Sequence, residues 1–454
     1  MANLEVNFAG IKSPNPFWLA SAPPTNMGSM VERAFEAGWG GAVWKTIGEP
    51  IRNVCSRLGS LDGSSTQRMI GLNNIELISD RPTEVNLREM AACKKRYPQH
   101  ALIASLMVES KREAWHDIVK RVEDTGVDGL ELNFGCPHGM SERGMGSAMG
   151  QVPEYTEMVT GWVKEASKLP VIVKLTPNIT SILAPGRAAV KGGADAISLI
   201  NTINSVVGVD LDTLIPHPNV GGMAAHGGYC GPAVKPIALN MVSELARDGD
   251  IGIPLSGIGG IKDWRDAAEF LALGAGTVQV CTQVMHYGYR IVEDMIDGLS
   301  NYLDDKGYAS VEQFIGVSVP RVTDWGNLDL NYHTVASIDH DKCIQCNLCH
   351  IACEDGAHQC IPLLPLAEKN GARYPVVDES ECVGCNLCSL VCPVPECITM
   401  VSLNDRGAPL TWREYTRGEA PVQATTEDHA GHGAHGPIVG VPIGTPSEVV
   451  KGGI

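Results

Sequence analysis

Between residues 16 and 281, short β-branched and aliphatic runs alternate with longer stretches whose apolar positions recur at helical spacing. Eight runs read as strands: FWLASA (17–22), GAVWKT (41–46), LIASLM (102–107), GLELNF (129–134), VIVKLT (171–176), AISLIN (196–201), IPLSGI (253–258) and TVQVCT (277–282). Between most of them lies a helical pattern, as in SKREAWHDIVKRVEDTG (110–126) and DWRDAAEFLALGAG (263–276). Alternating β and α units argue for a parallel sheet, and eight of them for an α/β fold closed into a (β/α)8 TIM barrel rather than an open doubly wound sheet. Polar or reactive residues favour the closed form, because they stand at or just past the C-terminal strand ends: Ser21, Lys45, Asn133, Lys174, Asn201, Ser256 and Cys281. Barrels of this kind build their sites on that face. The opening LEVNFAGIKSPNP (4–16) reads as a hairpin closing the barrel bottom, and 283–303 as a helix. The expected division is a barrel over 1–310, a linker over 311–336, a small α+β domain over 337–403 and an irregular tail over 404–454.

Composition narrows the class. Apolar residues make up 44%, aromatics 5%, and glycine is plentiful at 50 residues, which suits a loop-rich α/β enzyme. A net charge of −17 argues against nucleic acid or an anionic membrane as a partner. The start MANLEVNFAG has no basic stretch followed by an apolar one, so no signal peptide is expected. No apolar run reaches the ~18 residues of a membrane span. These features predict a cytoplasmic protein.

The fifteen cysteines change the picture, because ten of them fall between Cys343 and Cys397. CIQCNLCHIAC places Cys343, Cys346, Cys349 and Cys353 at spacings of two, two and three, and CVGCNLCSLVCP repeats this with Cys382, Cys385, Cys388 and Cys392. In the bacterial ferredoxin run the fourth cysteine ligates the other cluster. That assigns Cys343, Cys346, Cys349 and Cys392 to one 4Fe–4S cluster and Cys382, Cys385, Cys388 and Cys353 to a second. A pair of zinc sites is the alternative, but zinc does not require the fourth cysteine in both copies. Cys353 departs from the pattern in being followed by Glu354 where Cys392 is followed by Pro393. Cys360 and Cys397 are left over as small apolar fill. Two clusters make an electron relay, so the barrel is expected to hold a redox cofactor.

GHGAHG (431–436) matches a dinucleotide glycine pattern but lacks the strand and helix that give the pattern its meaning. His429, His432 and His435 beside it could form a surface metal site, but low-complexity sequence is the better explanation. SGIGGI (256–261) after the seventh strand, GTVQVCT at the eighth, and Gly231 in YCGPAVKP instead suggest a mononucleotide phosphate site. Lys45 and Lys174 sit inside apolar strands, where a buried ammonium calls for an anionic partner such as a reduced flavin. Cys136, in LNFGCPHGM (132–140), follows a strand on a loop with glycines at 135, 139, 144, 146 and 150.

NPFWLASAPPT, RAFEAGWGGAVWKT, NNIELIS, ELNFGCPHGMSERGMG, KLTPNIT, GGADAISLINT, GPAVKPIAL and SGIGGI, with QVC at 279–281 and both cysteine runs, together resemble the dihydropyrimidine dehydrogenases up to about residue 403. The resemblance is strongest to their bacterial NAD-dependent catalytic subunits, which join an FMN barrel to a ferredoxin domain with two 4Fe–4S clusters. It implies FMN held by Ser21, Lys45, Thr46, Lys174, Gly231, Gly259, Gly260, Cys281 and Thr282, and a pyrimidine gripped by Asn74, Asn133, Asn201 and Thr202. It implies Cys136 as general acid, and an FAD- and NADH-binding partner subunit supplying electrons for reduction of uracil and thymine. Gly135 departs from the serine usual at that position, and 205–228 matches poorly. A dihydroorotate dehydrogenase shares the barrel, flavin and cysteine and is the first rival. A non-catalytic electron-transfer subunit is the second.

Overall fold

The computed structural model describes residues 2–63 and 68–418. The chain divides into two units, Met1–Val322 and Thr323–Ile454. The first is a closed barrel of eight parallel strands in sequential order: β1 (Phe17–Leu19), β2 (Gly41–Ile47), β3 (Ala101–Leu106), β4 (Gly129–Asn133), β5 (Val171–Lys174), β6 (Ala196–Leu199), β7 (Leu255–Ile258) and β8 (Ala275–Val280). All eight expected strands are present. Their residues are buried on both faces because helices cover the outside and side chains fill the inside.

The hairpin Val6–Phe8/Ile11–Ser13 plugs the bottom. Phe8 and Ile11 pack with Trp18, Val43, Ala101, Ile103, Ile172 and Ala196, and the Phe8 and Trp18 rings meet edge to face at 5.4 Å. Each such large buried side chain contributes about 1.5–3 kcal/mol.

Several expected boundaries move. The helix after β7 spans Trp264–Ala272, capped by the Asp263 carboxylate, which accepts from Arg265 N at 2.9 Å. Gly274 then turns at φ +104°, so β8 starts at Ala275. The single helix expected over 283–303 is two, Thr282–Tyr287 and Ile291–Asp305. Tyr289 between them donates its hydroxyl to Pro24 O at 2.8 Å, and its carbonyl accepts from Trp39 Nε1 at 2.8 Å. These tertiary bonds hold the chain out of a continuous helix.

The expected linker divides as well. Val311–Phe314 is a helical turn seated on the barrel, with Val311 N bonded to Asn3 O at 2.9 Å and both apolar ends buried. In the second unit, Thr334–Ile338 pairs antiparallel with Ile398–Ser402. Part of the expected irregular tail is helical over Trp412–Arg417. Thr411 and Glu414 form its capping box: Thr411 N donates to the Glu414 carboxylate at 2.7 Å, and Thr411 Oγ1 accepts from Glu414 N at 3.3 Å. GHGAHG (431–436), His429, His432 and His435 lie outside the described residues.

Over the barrel mouth lies a four-stranded sheet that the pattern reading missed: Ile203–Ser205, Gly227–Cys230, Arg68–Asn74 and Leu58–Gly63, in that order. The sheet brings Asn74, Leu72 and Tyr229 to the mouth.

Candidate active site

A cavity of about 1190 Å³, including its open mouth, lies at the C-terminal ends of the barrel strands. Ser21, Lys45, Thr46, Asn74, Asn133, Cys136, Lys174, Asn201, Thr202, Gly231, Gly259, Gly260, Cys281 and Thr282 all line it. Ser256 does not; it is fully buried in the barrel, where its hydroxyl accepts from Thr277 Oγ1 at 2.8 Å.

A chain of hydrogen bonds orders the polar floor. Thr46 Oγ1 accepts from Asn133 Nδ2 at 3.0 Å and lies 3.1 Å from Ser21 Oγ. Asn133 Oδ1 accepts from Asn201 Nδ2 at 2.9 Å, and Asn201 Oδ1 from Thr202 N at 2.8 Å. Asn74 Nδ2 donates to Gly228 O at 3.0 Å. Each amide can form more bonds than these, so the set is oriented and still able to bind a polar ring edge. Gly135 has a local reason: a Cβ there would lie 2.3 Å from Asn201 Cβ. The Asn201 side chain occupies the space that a larger residue would need.

The loop carrying Cys136 folds inward. Ile78, Met107, Met140 and Met145 pack with Cys136. Gly146, at φ +58°, lets the chain pass so close that its Cβ would sit 2.7 Å from Cys136 O. Burial pushes the Cys136 thiol up to about 11, against the opposing pull of the His138 backbone and the Lys174 charge. The thiol is therefore held protonated. His138 is buried and donates from Nε2 to Glu76 O at 2.9 Å. Burial holds its pKa below the usual value, so the ring is neutral at pH 7.

Both lysines have carboxylate partners within the protein, which the sequence reading had not identified. Lys45 Nζ bonds to the Glu76 carboxylate, which Arg57 Nε also approaches at 3.4 Å. Lys174 Nζ lies 3.7 Å from Glu131 Oε1. Glu76, Tyr229, Cys230 and Gln279 line the cavity without having been singled out. For Glu76 the available signal was its place in NNIELIS, directly after Asn74 and Ile75.

At the other side of the cavity, three glycines form a backbone cradle. Gly231, Gly259 and Gly260 have φ of +92°, +131° and +75°. A Cβ on Gly260 would lie 2.7 Å from Lys235 Cβ and 2.8 Å from Lys235 N. The turn after β7 thus packs directly on the first turn of the helix Lys235–Arg247, leaving no room for a side chain, and backbone N–H groups at such a helix start suit an anion. The donors and the cradle fit a flavin mononucleotide.

In the second unit, one cavity of about 320 Å³ is lined by Cys343, Cys346, Cys349 and Cys392, and another of about 310 Å³ by Cys353, Cys382, Cys385 and Cys388. Each run wraps its cavity through two left-handed residues, Gln345 and Asn347 in the first and Gly384 and Asn386 in the second. Glu354 extends the helix Leu348–Glu354 beyond Cys353, whereas the helix Leu387–Val391 stops before Cys392 and Pro393. Cys360 and Cys397 are buried as expected, and each also lines one of the cavities. The two fourfold sets fit two cubane clusters.

A barrel with a glycine cradle, paired lysines and a buried thiol, on a chain with a double-cluster domain, defines the class: a flavin and iron–sulfur oxidoreductase. The sequence profile for dihydroorotate dehydrogenase matches residues 3–303, and that for the 4Fe-4S dicluster domain matches 336–400. The chain is 44% identical over 359 residues to the NAD-dependent dihydropyrimidine dehydrogenase subunit PreA of Escherichia coli K12, covering 79% of this chain and 87% of that one. It is 44% identical over 332 residues to the chloroplastic NADP(+) dihydropyrimidine dehydrogenase of Arabidopsis thaliana, covering 71% and 78%. To the catalytic subunit of dihydroorotate dehydrogenase B (NAD(+)) of Pyrococcus abyssi it is 37% identical over 317 residues, covering 70% and 99%. The chain belongs to the dihydroorotate dehydrogenase family, in the dihydropyrimidine dehydrogenase branch that carries a 4Fe-4S dicluster domain.

Proposed function

We propose that this enzyme reduces uracil and thymine to their 5,6-dihydro forms, with electrons passing from NADH through an FAD-containing partner subunit and the two clusters to FMN. The observation that carries this reading is the single cavity in which Cys136, the amides of Asn74, Asn133 and Asn201, and the glycine cradle meet. Ser21, Lys45, Thr46, Lys174, Gly231, Gly259, Gly260, Cys281 and Thr282 would hold FMN, which when bound supplies the hydride for C6 of the pyrimidine. Asn74, Asn133, Asn201 and Thr202 orient the ring, since amides match the mixed donors and acceptors of its edge. Cys136 delivers the proton to C5, and the packed loop around it excludes water. The partner would bind NADH and FAD; the NADH part of this reading is supported by the Escherichia coli relative, which is one subunit of an NAD-dependent dihydropyrimidine dehydrogenase. We place the reaction in the cytoplasm, where a reducing milieu keeps structural cysteines free for iron.

The family match leaves dihydroorotate chemistry as the rival. The higher identity to the two dihydropyrimidine dehydrogenases, 44% against 37% for the dihydroorotate dehydrogenase B subunit, weighs against it. The deciding experiment is anaerobic: reduce the purified chain chemically, remove the reductant, and follow absorbance after adding uracil or orotate. Reoxidation by uracil is expected. Reoxidation by orotate alone would transfer the assignment to the rival, and none by either substrate would overturn both.

The cradle makes a separate prediction. Gly260→Val adds a branched side chain where φ is +75° and Lys235 stands in the way. Strain of about 1–3 kcal/mol is expected, so the purified variant should bind FMN about 5- to 150-fold more weakly. Flavin released on dilution measures this, and undiminished retention would remove Gly260 from the site.

A further inference from the structure

Beneath the cavity, the barrel interior holds a carboxylate with no role so far. Glu131, on β4, is 0% exposed. Ser198 Oγ donates to its Oε2 at 2.9 Å, and Gln279 Nε2 donates to the same atom at 3.1 Å. Its other oxygen, Oε1, has no hydrogen-bond partner among the described residues and faces Lys174 Nζ at 3.7 Å. Lys174 in turn lines the cavity.

Burying a carboxylate is costly, and an apolar residue of similar volume would stabilise a barrel interior at least as well. Two donors on one oxygen fix the group's orientation and leave the other oxygen to the lysine. That arrangement suits a charge whose position matters.

We propose that Glu131 is a positioning residue: it fixes the Lys174 ammonium at the cavity floor and, by offsetting part of that charge, lowers the reduction potential of the flavin bound in the cavity. The inference rests on the FMN reading above. Reduction adds electron density to a flavin, so a nearby cation favours it and a counter-anion behind that cation opposes it. Charges in a barrel interior are weakly screened, so the counter-anion acts across the intervening lysine. A lower potential makes the bound cofactor a stronger donor to a pyrimidine double bond.

The test is spectroelectrochemical titration of the full chain carrying its cofactors, with FMN content measured on the same samples. Glu131→Gln removes the charge and keeps the shape. It should raise the flavin midpoint by about 30 mV or more, a tenfold shift in the two-electron equilibrium. Glu131→Asp keeps the charge but withdraws it from Lys174, and should give a smaller rise. If Glu131→Gln does not fold, the aspartate variant carries the test. Midpoints unchanged or lowered in the variants that fold, with FMN retained, would overturn the proposal. Loss of FMN or of thermal stability, with an unshifted midpoint in the flavin that remains, would reduce Glu131 to a structural part and overturn it equally. A wild-type chain that binds no FMN would instead overturn the functional reading itself.

Discussion

Cys136→Ala is expected to slow pyrimidine reduction by ~10²–10⁴, the usual range for removing a general acid, while FMN and cluster content stay at wild-type levels. The argument starts from burial. The thiol sits among Ile78, Met107, Met140 and Met145, so its charged form is disfavoured and its pKa rises to about 11. A proton donor must be protonated when substrate binds, and a thiol at that value is almost wholly so at pH 7. The sign of the pH effect follows. The proton-transfer step should be insensitive to pH through the neutral range and should fail as pH rises through about 11, where the donor is lost. Single-turnover reoxidation of the prereduced enzyme by uracil isolates this step from electron delivery. Cys136→Ser gives a useful second reading, because a hydroxyl can occupy the same place but gives up its proton far less readily. Near-normal single-turnover rates in the alanine variant would reject the role.

The barrel was legible because each of its strands is a largely apolar, mostly buried run, and the helices between them keep their period. The sheet over the mouth was not. Its strands read LGSLDG, RMIGLNN, INS and GGYC, with no sustained alternation. They are held by pairings between distant parts of the chain, such as Gly228 with Asn74, and by side-chain bonds such as Asn73 Nδ2 to Ser205 Oγ at 2.8 Å. The site residues at strand ends were legible for the same reason as the strands: a polar group at the end of an apolar run is conspicuous. Glu131 and Gln279 lie inside such runs, where burial on both faces leaves no alternation to show which way they point. The lysines were recognised as needing anions, but spacing gave no hint that Glu76 and Glu131 would supply them. The two fourfold cysteine groups, by contrast, could be proposed from cysteine spacing alone, and each group lines one cavity.

That ligation makes the second large prediction. If the fourth cysteine of each run serves the other run's cluster, removing Cys353 should empty the site of Cys382, Cys385 and Cys388 and spare the site of its own run. The structure adds a complication that spacing could not reveal. Cys360 Sγ lies 3.5 Å from Cys353 Sγ, close enough to take over as a ligand. A single Cys353→Ser change is therefore a poor test, and the double variant Cys353→Ser/Cys360→Ala is the informative one. Its iron content should fall from about eight to about four per chain, the loss of one cubane, with the iron signature of the Cys343 site intact. Turnover driven by NADH and the partner subunit should be abolished, because the relay is broken. Reoxidation of chemically reduced flavin by uracil should continue, because the barrel builds its cavity from the first unit's residues. Retention of both clusters would refute the alternating assignment. Loss of one cluster with undiminished partner-driven turnover would show that electrons reach the flavin without it.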